Sequence, residues 1–289
     1  MPEIRTLVTL TLAEDLTITR MGYGAMQLSG PNVFGEPRDR AEALAVLREA
    51  VESGITHVDT ADYYGPVITN QLIREALHPY TGITVATKVG WRRHDAGAPV
   101  QSIDPTDLQA QVHDNLDHLG LDALDLVNLR LSSAEASTPG SVEAAFSVLA
   151  ELQQKGLIKH LGISNVSSGQ VTEAQRIAPV VAIQNLYNLA NRQDDDLVAR
   201  ADREHIAFVP FFPLGGFNPL QSDVLSSVAN RLGASPQQVA LAWLLQRSST
   251  MAVIPGTSSR AHLRENIAAV DLALPADAID ELGAIGAQD

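Results

Sequence analysis

Cysteine is absent from the 289 residues, which removes a disulfide framework, a thiol nucleophile and a Cys-based zinc site. Basic charge is short as well. Against 34 Asp and Glu stand 20 Lys and Arg, giving a formal net charge of -14 and a pI near 4.9. Such a chain has no basic face for nucleic-acid phosphates or for an anionic membrane surface. No apolar run approaches the ~20 residues of a membrane span, and Met1-Pro-Glu-Ile-Arg5 opens no long apolar leader. A soluble cytoplasmic protein is the expectation. There is no Gly-x-Ser-x-Gly elbow and no P-loop, and Gly22-Tyr-Gly24 lacks the third Gly of a dinucleotide fingerprint. His113 and His118 share a helix, but a five-residue spacing does not set both on one face, so no metal site is expected.

What is present alternates. Residues 6 to 20 read as a short hairpin turning at Glu14-Asp15. From Met21 onward, short apolar strands alternate with amphipathic helices. The strands fall at 21–26, 55–60, 83–89, 124–130, 160–165, 180–187, 207–214 and 251–256. Helices fall at 39–52, 70–77, 105–119, 141–154, 168–177, 194–204, 235–247 and 261–269, with a last one near 276–285. Asp104 is placed to cap the helix that opens with Pro105, and Gly120 to end it. Eight evenly spaced units without a linker favour a closed (β/α)8 TIM barrel over an open sheet. Residues 1–289 therefore read as one α/β domain, a barrel with a short N-terminal β-hairpin.

Lysine is scarce: three residues, of which Lys88 alone lies inside an apolar strand. A buried ammonium needs a partner, and a buried carboxylate at a strand end needs a cation. Asp59 meets that description, and Tyr64 follows it in the loop. In a barrel, chemistry collects at the C-terminal strand ends. Those ends hold Asp59 and Tyr64, then Lys88, Arg130, Ser164 and Asn165, Gln184, Phe211, and Gly256-Thr257-Ser258-Ser259. Ser164 and Asn165 could equally open the next helix, since both residues cap well.

These runs, together with Phe211-Phe-Pro213-Leu214-Gly215 and Ile254-Pro-Gly-Thr-Ser with Glu265-Asn266, resemble the aldo-keto reductase superfamily over nearly the whole chain. The resemblance implies a barrel that reduces small-molecule carbonyls with NADPH stretched across its mouth. It implies that Tyr64 donates the proton and that Lys88, paired with Asp59, lowers the Tyr pKa from about 10. It implies that Ser164, Asn165 and Gln184 hold the carboxamide and that Phe211 is the plate for the nicotinamide. Pro213, Leu214, Gly256, Thr257, Ser258, Ser259, Arg264 and Asn266 would line the rest of the cofactor groove. For the 2′-phosphate the family commonly has Arg near the position of His262; that Arg is missing here, and Arg264 either substitutes for it or is simply an exposed helix Arg. Tyr63, Trp91 and Phe217 are candidate walls.

One residue departs from the family pattern. The fourth strand, Asp125-Leu-Val-Asn-Leu-Arg130, ends in Arg where the family usually carries His. A guanidinium cannot shuttle a proton, but it can stabilise a developing alkoxide or a substrate anion. Arg130 could instead turn toward a neighbouring acid. With Met26-Gln-Leu-Ser-Gly-Pro and Pro210 to Phe217, Arg130 resembles a bacterial subgroup that includes pyridoxal reductases. Two rivals stand beside this reading: a nucleotide-binding regulatory subunit, and a barrel lyase using Lys88 as a Schiff base. A monomer or small homo-oligomer is expected.

Overall fold

The computed structural model describes residues 7–93, 98–132, 137–217 and 220–286. The chain begins with an antiparallel hairpin, β1 (Thr9–Ala13) and β2 (Leu16–Thr19). Then come β3 (Tyr23–Gly24), α1 (Arg40–Glu52), β4 (His57–Asp59), α2 (Ile68–Leu77) and β5 (Thr84–Val89). A small two-stranded ribbon, β6 (Trp91–Arg92) and β7 (Val100–Gln101), precedes α3 (Pro105–Leu119). Next are β8 (Leu124–Arg130), α4 (Glu143–Gln154), β9 (Ile158–Ser164), α5 (Ser168–Gln175), β10 (Val180–Gln184) and α6 (Asp195–Arg203). The chain closes with β11 (Ala207–Phe208), α7 (Asp223–Leu232), α8 (Pro236–Arg247), α9 (Arg260–Ala268) and α10 (Ala276–Gly283).

Seven strands form one parallel sheet in the order β11-β10-β9-β8-β5-β4-β3. Residues 251–256 close it by isolated parallel bridges, Phe208 with Met251 on one side and Met21 with Val253 on the other. Backbone bonds from Ala252 N to Phe208 O (3.0 Å) and Gly22 N to Val253 O (2.8 Å) complete the ring. Gly24 is required there, because a Cβ would lie 2.4 Å from Ile254 O. The expected eight-stranded barrel is thus present, with short elements on both sides of its seam. The expected first strand is cut to two residues, since Ala25–Leu28 coils into a 3-10 turn.

Helix ends follow local chemistry. Asp39 accepts from Glu42 N to open α1, and Ser167–Gln170 and Ser235–Gln238 form capping boxes for α5 and α8. Asp104 sits at the start of α3 without a side-chain cap bond, a correction to the expectation, and Pro105 still supplies the fixed φ that a first helical turn wants. Helix α7, started by Ser222 and ended by the left-handed Gly233, was not anticipated. It gives the seventh strand two following helices, as residues 251–256 have in α9 and α10. Helix α1 packs against both α2 and α9, which closes the outer ring.

Strand alternation sorts the interior into layers. A floor of four alanines, Ala86, Ala182, Ala207 and Ala252, together with Leu126, is filled from below by Leu16 and Ile18 of the hairpin. Two residues further along the same strands, on the same face, stand Lys88, Asn128 and Gln184; Asp59 stands two beyond the buried His57. The packed floor therefore sets a polar layer at one end of the barrel.

Candidate functional site

That layer is a network of buried charges. Lys88 Nζ donates to Asp59 Oδ1 at 2.5 Å and to the Thr60 carbonyl at 2.9 Å. Gln184 Nε2 donates to Asp59 Oδ2 at 2.8 Å, so both carboxylate oxygens are used. The Asp59 and Lys88 side chains are only 4% and 2% exposed. The buried cation anticipated for Asp59 is Lys88, and neither residue serves as a turn or helix cap.

Tyr64 is buried, and Lys88 Nζ lies 5.3 Å from its ring centroid. Tyr63 packs edge-on to Tyr64, with centroids 4.9 Å apart. Burial pushes the Tyr64 phenol well up and the Asp59 carboxylate adds to that; Arg130 and the Tyr63 hydroxyl oppose it. Lys88 was expected to be the lowering charge. Its ammonium bonds to Asp59 and Thr60 and stands 5.3 Å from the Tyr64 ring centroid, while Arg130 is a second cation that favours the tyrosinate.

Arg130 ends β8 half-buried, its guanidinium carbon 4.9 Å from the Phe211 ring centroid. No carboxylate pairs with it among the described residues. The guanidinium thus faces the cavity, stacked on an aromatic plate. Here that plate is shared: the Phe211 ring also meets Phe212 edge-on at 5.4 Å. A cleft of about 800 Å³, counting its open mouth, gathers Asp59, Tyr63, Tyr64, Lys88, Arg130, Gln184, Phe211, Pro213, Leu214 and Gly256.

Gln184, which lines this cleft, leaves Oε1 without a hydrogen-bond partner, and so does Ser164 Oγ beside it on β9, behind the cleft's lining; the two residues are 1% and 0% exposed. Unmade hydrogen bonds at such depth are costly, and a bound amide would make them. Asn165 is buried beside them, in the left-handed region at φ 60°, donating to the Ser132 carbonyl at 3.2 Å. Since Ser167 caps α5, neither Ser164 nor Asn165 is there to start a helix.

The arm after residue 256 is arranged differently. Thr257 is buried, its carbonyl accepting from Tyr23 Oη at 2.6 Å, and its hydroxyl accepts from Ser259 N at 3.0 Å. Ser258 lines an adjoining hollow with Met26, Gln27, Arg38 and Phe217. Asn266 is buried on α9. Arg264 turns away to α1, holding Glu49 through Nε at 2.5 Å and Nη2 at 3.0 Å, and Arg260 likewise holds Glu42. Trp91 does not line the main cleft; Phe217 borders only the adjoining hollow. Met26, Gln27 and Phe212 do line the main cleft, although the sequence offered them only as parts of quoted runs.

A parallel barrel whose strand ends carry a Tyr, a Lys–Asp pair and unpaired amide and hydroxyl groups defines a class, and comparison with known proteins agrees. The Aldo/keto reductase family matches residues 20–287. This chain belongs to that family. It is 56% identical over 272 residues to pyridoxine 4-dehydrogenase of Escherichia coli (strain K12), covering 93% of this chain and 95% of that one. It is 37% identical over 275 residues to an uncharacterized oxidoreductase of Schizosaccharomyces pombe (strain 972), covering 93% and 87%. Among solved structures, the thermostable aldo-keto reductase Tm1743 with the inhibitor epalrestat superposes with a TM-score of 0.82 at 26% identity, over 97% of this chain and all of that one.

Proposed function

We propose that this protein reduces the aldehyde of a pyridoxal-like substrate to the alcohol with NADPH, Tyr64 giving the proton. The observation that carries the substrate is Arg130, a cation with no acid partner among the described residues, standing where it acts on Tyr63 and Tyr64 alike. Pyridoxal sets a phenolic oxygen beside its aldehyde, and a fixed guanidinium suits that anion. The name of the E. coli relative supports the same substrate pair, read in the opposite direction.

The cofactor fits the chain's own atoms: Gln184 Oε1, unpartnered at the cleft, would accept from a carboxamide, with the unpartnered Ser164 Oγ next to it on β9. Bound NADPH supplies the hydride. Tyr64 supplies the proton to the carbonyl oxygen, and the positive field of Arg130 stabilises charge developing on that oxygen or on the resulting tyrosinate. Asp59 holds Lys88 in place, and Gln184 fixes the second oxygen of Asp59, so the polar layer does not rearrange as charge moves. With Lys88 ion-paired, it is a poor Schiff-base nucleophile. We read residues 1–289 as one barrel domain working in the cytoplasm.

The test is NADPH oxidation with pyridoxal against a neutral benzaldehyde, with Tyr64→Phe as control. The expectation is a kcat/KM at least about tenfold higher for pyridoxal, the order of one good charged contact, and loss of about 100-fold or more in Tyr64→Phe. Equal or lower efficiency with pyridoxal removes the substrate reading. Binding of NADPH without turnover on any carbonyl would favour a regulatory subunit.

A further inference from the structure

Asp62 stands three residues after Asp59 and two before Tyr64, and the chemistry above does not use it. Its Oδ1 sits 2.7 Å from His118 Nδ1 on α3 and accepts from Asn70 Nδ2 on α2 at 3.1 Å. Asn70 is fully buried and continues the chain of bonds. Its Oδ1 accepts from Thr60 Oγ1 at 2.8 Å, and its Nδ2 also reaches Asn115 Oδ1 at 3.1 Å, which accepts from Thr87 Oγ1 at 2.6 Å. The Thr60 carbonyl in turn receives Lys88 Nζ. One line of hydrogen bonds therefore runs from an imidazole at the surface, through the turn that carries Tyr64, to the ammonium in the barrel.

We propose that His118 and Asp62 are positioning residues for Tyr64, and that a protonated imidazole holds the Asp59–Gly65 turn more firmly than a neutral one. This rests on Tyr64 being the proton donor. The backbone already holds part of this turn: Tyr64 N bonds to Ala61 O, Thr69 N of α2 to Tyr64 O at 3.3 Å, and Gly65 N to Val33 O at 3.2 Å. The side chain of Asp62 adds a direct bond from the turn to α3, beside its bond to Asn70 of α2. A small displacement of a proton donor is enough to slow a transfer that needs near-contact geometry.

The charges around His118 set the direction. Its bond to Asp62 raises the imidazole above its ordinary 6.5, partial burial opposes this, and Asp114 and Asp117 of its own helix add to it. Asp114 is itself paired with Arg92 at 2.8 Å, and Arg74 of α2 donates to the Asp117 carbonyl at 2.9 Å. Gln71, Glu75 and His78 of α2 line the same surface cleft. A pKa raised on folding means the hold is complete below 6.5 and is lost as pH rises through the higher folded value. Neutral imidazole with its proton on Nδ1 still donates to Asp62, so the turn loosens without being released.

The experiment compares kcat and KM of the wild type, His118→Gln and His118→Lys from about pH 5.5 to about pH 9, where a Lys stays charged. Dividing by His118→Gln cancels the titration of Tyr64 itself. At low pH the wild-type to His118→Gln ratio of kcat is expected at about threefold to tenfold, falling to about one as His118 deprotonates, with KM unchanged. The His118→Lys to His118→Gln ratio stays high throughout. A wild-type ratio that does not change with pH, or a Lys variant that declines in step with the wild type, overturns the proposal. NMR titration of His118 reads the pair without turnover. Its pKa should drop toward 6.5 in Asp62→Asn, and an identical value in both proteins overturns the proposal too. Failure of the Tyr64 reading is a separate result, full turnover in Tyr64→Phe.

Discussion

Two ion pairs in this chain share a nitrogen–oxygen distance of 2.5 Å and little else. Lys88 and Asp59 face each other inside the barrel, almost without exposed surface. Arg264 and Glu49 tie α9 to α1 with the Arg side chain 66% exposed. In the first, both charges have left water, and their further hydrogen bonds go to Thr60 and Gln184. In the second, solvent and salt screen the attraction and the long side chains give up freedom to hold it. Equal distances thus carry unequal consequences: one pair defines a reactive layer, the other fastens a helix lightly.

The comparison breaks hardest at Lys88. Lys88→Met strands a buried carboxylate and is expected to lower unfolding free energy by about 3–5 kcal/mol in urea at neutral pH, whereas adding Asp59→Leu should restore most of it. A single variant as stable as the wild type would mean that the pair is not isolated from water. Next in size is His57, two residues before Asp59, with Nδ1 buried and unpartnered. Burial holds its pKa down to about 4 from 6.5, with Asp59 opposing and Lys88 assisting. The unfolded chain takes the proton first, so this contribution is full above pH 6.5 and is lost as pH falls toward 4. The loss, on the order of 3 kcal/mol, should appear in urea midpoints of the wild type and be missing from His57→Gln over the same interval. Smallest is Glu49→Gln, which should leave the urea midpoint in place at ordinary salt. A fall rivalling that of Lys88→Met would erase the distinction.

The difference between the two pairs also marks what a linear sequence reveals. Asp59 and Lys88 were legible because a lone Lys in an apolar strand demands an acid, and the strand order of a barrel brings β4 beside β5. Arg264 looked equally available for a phosphate. Its partner Glu49 lies 215 positions away on a helix that meets α9 only when the barrel closes, and no local pattern announces such a meeting. Arg130 was recognised as unusual, but its hold on the Tyr64 pKa depends on a side-chain direction that the strand period leaves open. Helix α7 had its signals, Ser222 before it and Gly233 after it, in a stretch passed over between the seventh strand and the strongly capped α8. The seam shows the opposite error, since residues 21–26 alternate like a strand while only Tyr23 and Gly24 pair as one.

The alanine floor with its leucine and isoleucine stopper has a consequence for traffic. Among the described residues the vessel is sealed at its base, so aldehyde, alcohol and dinucleotide share a single doorway.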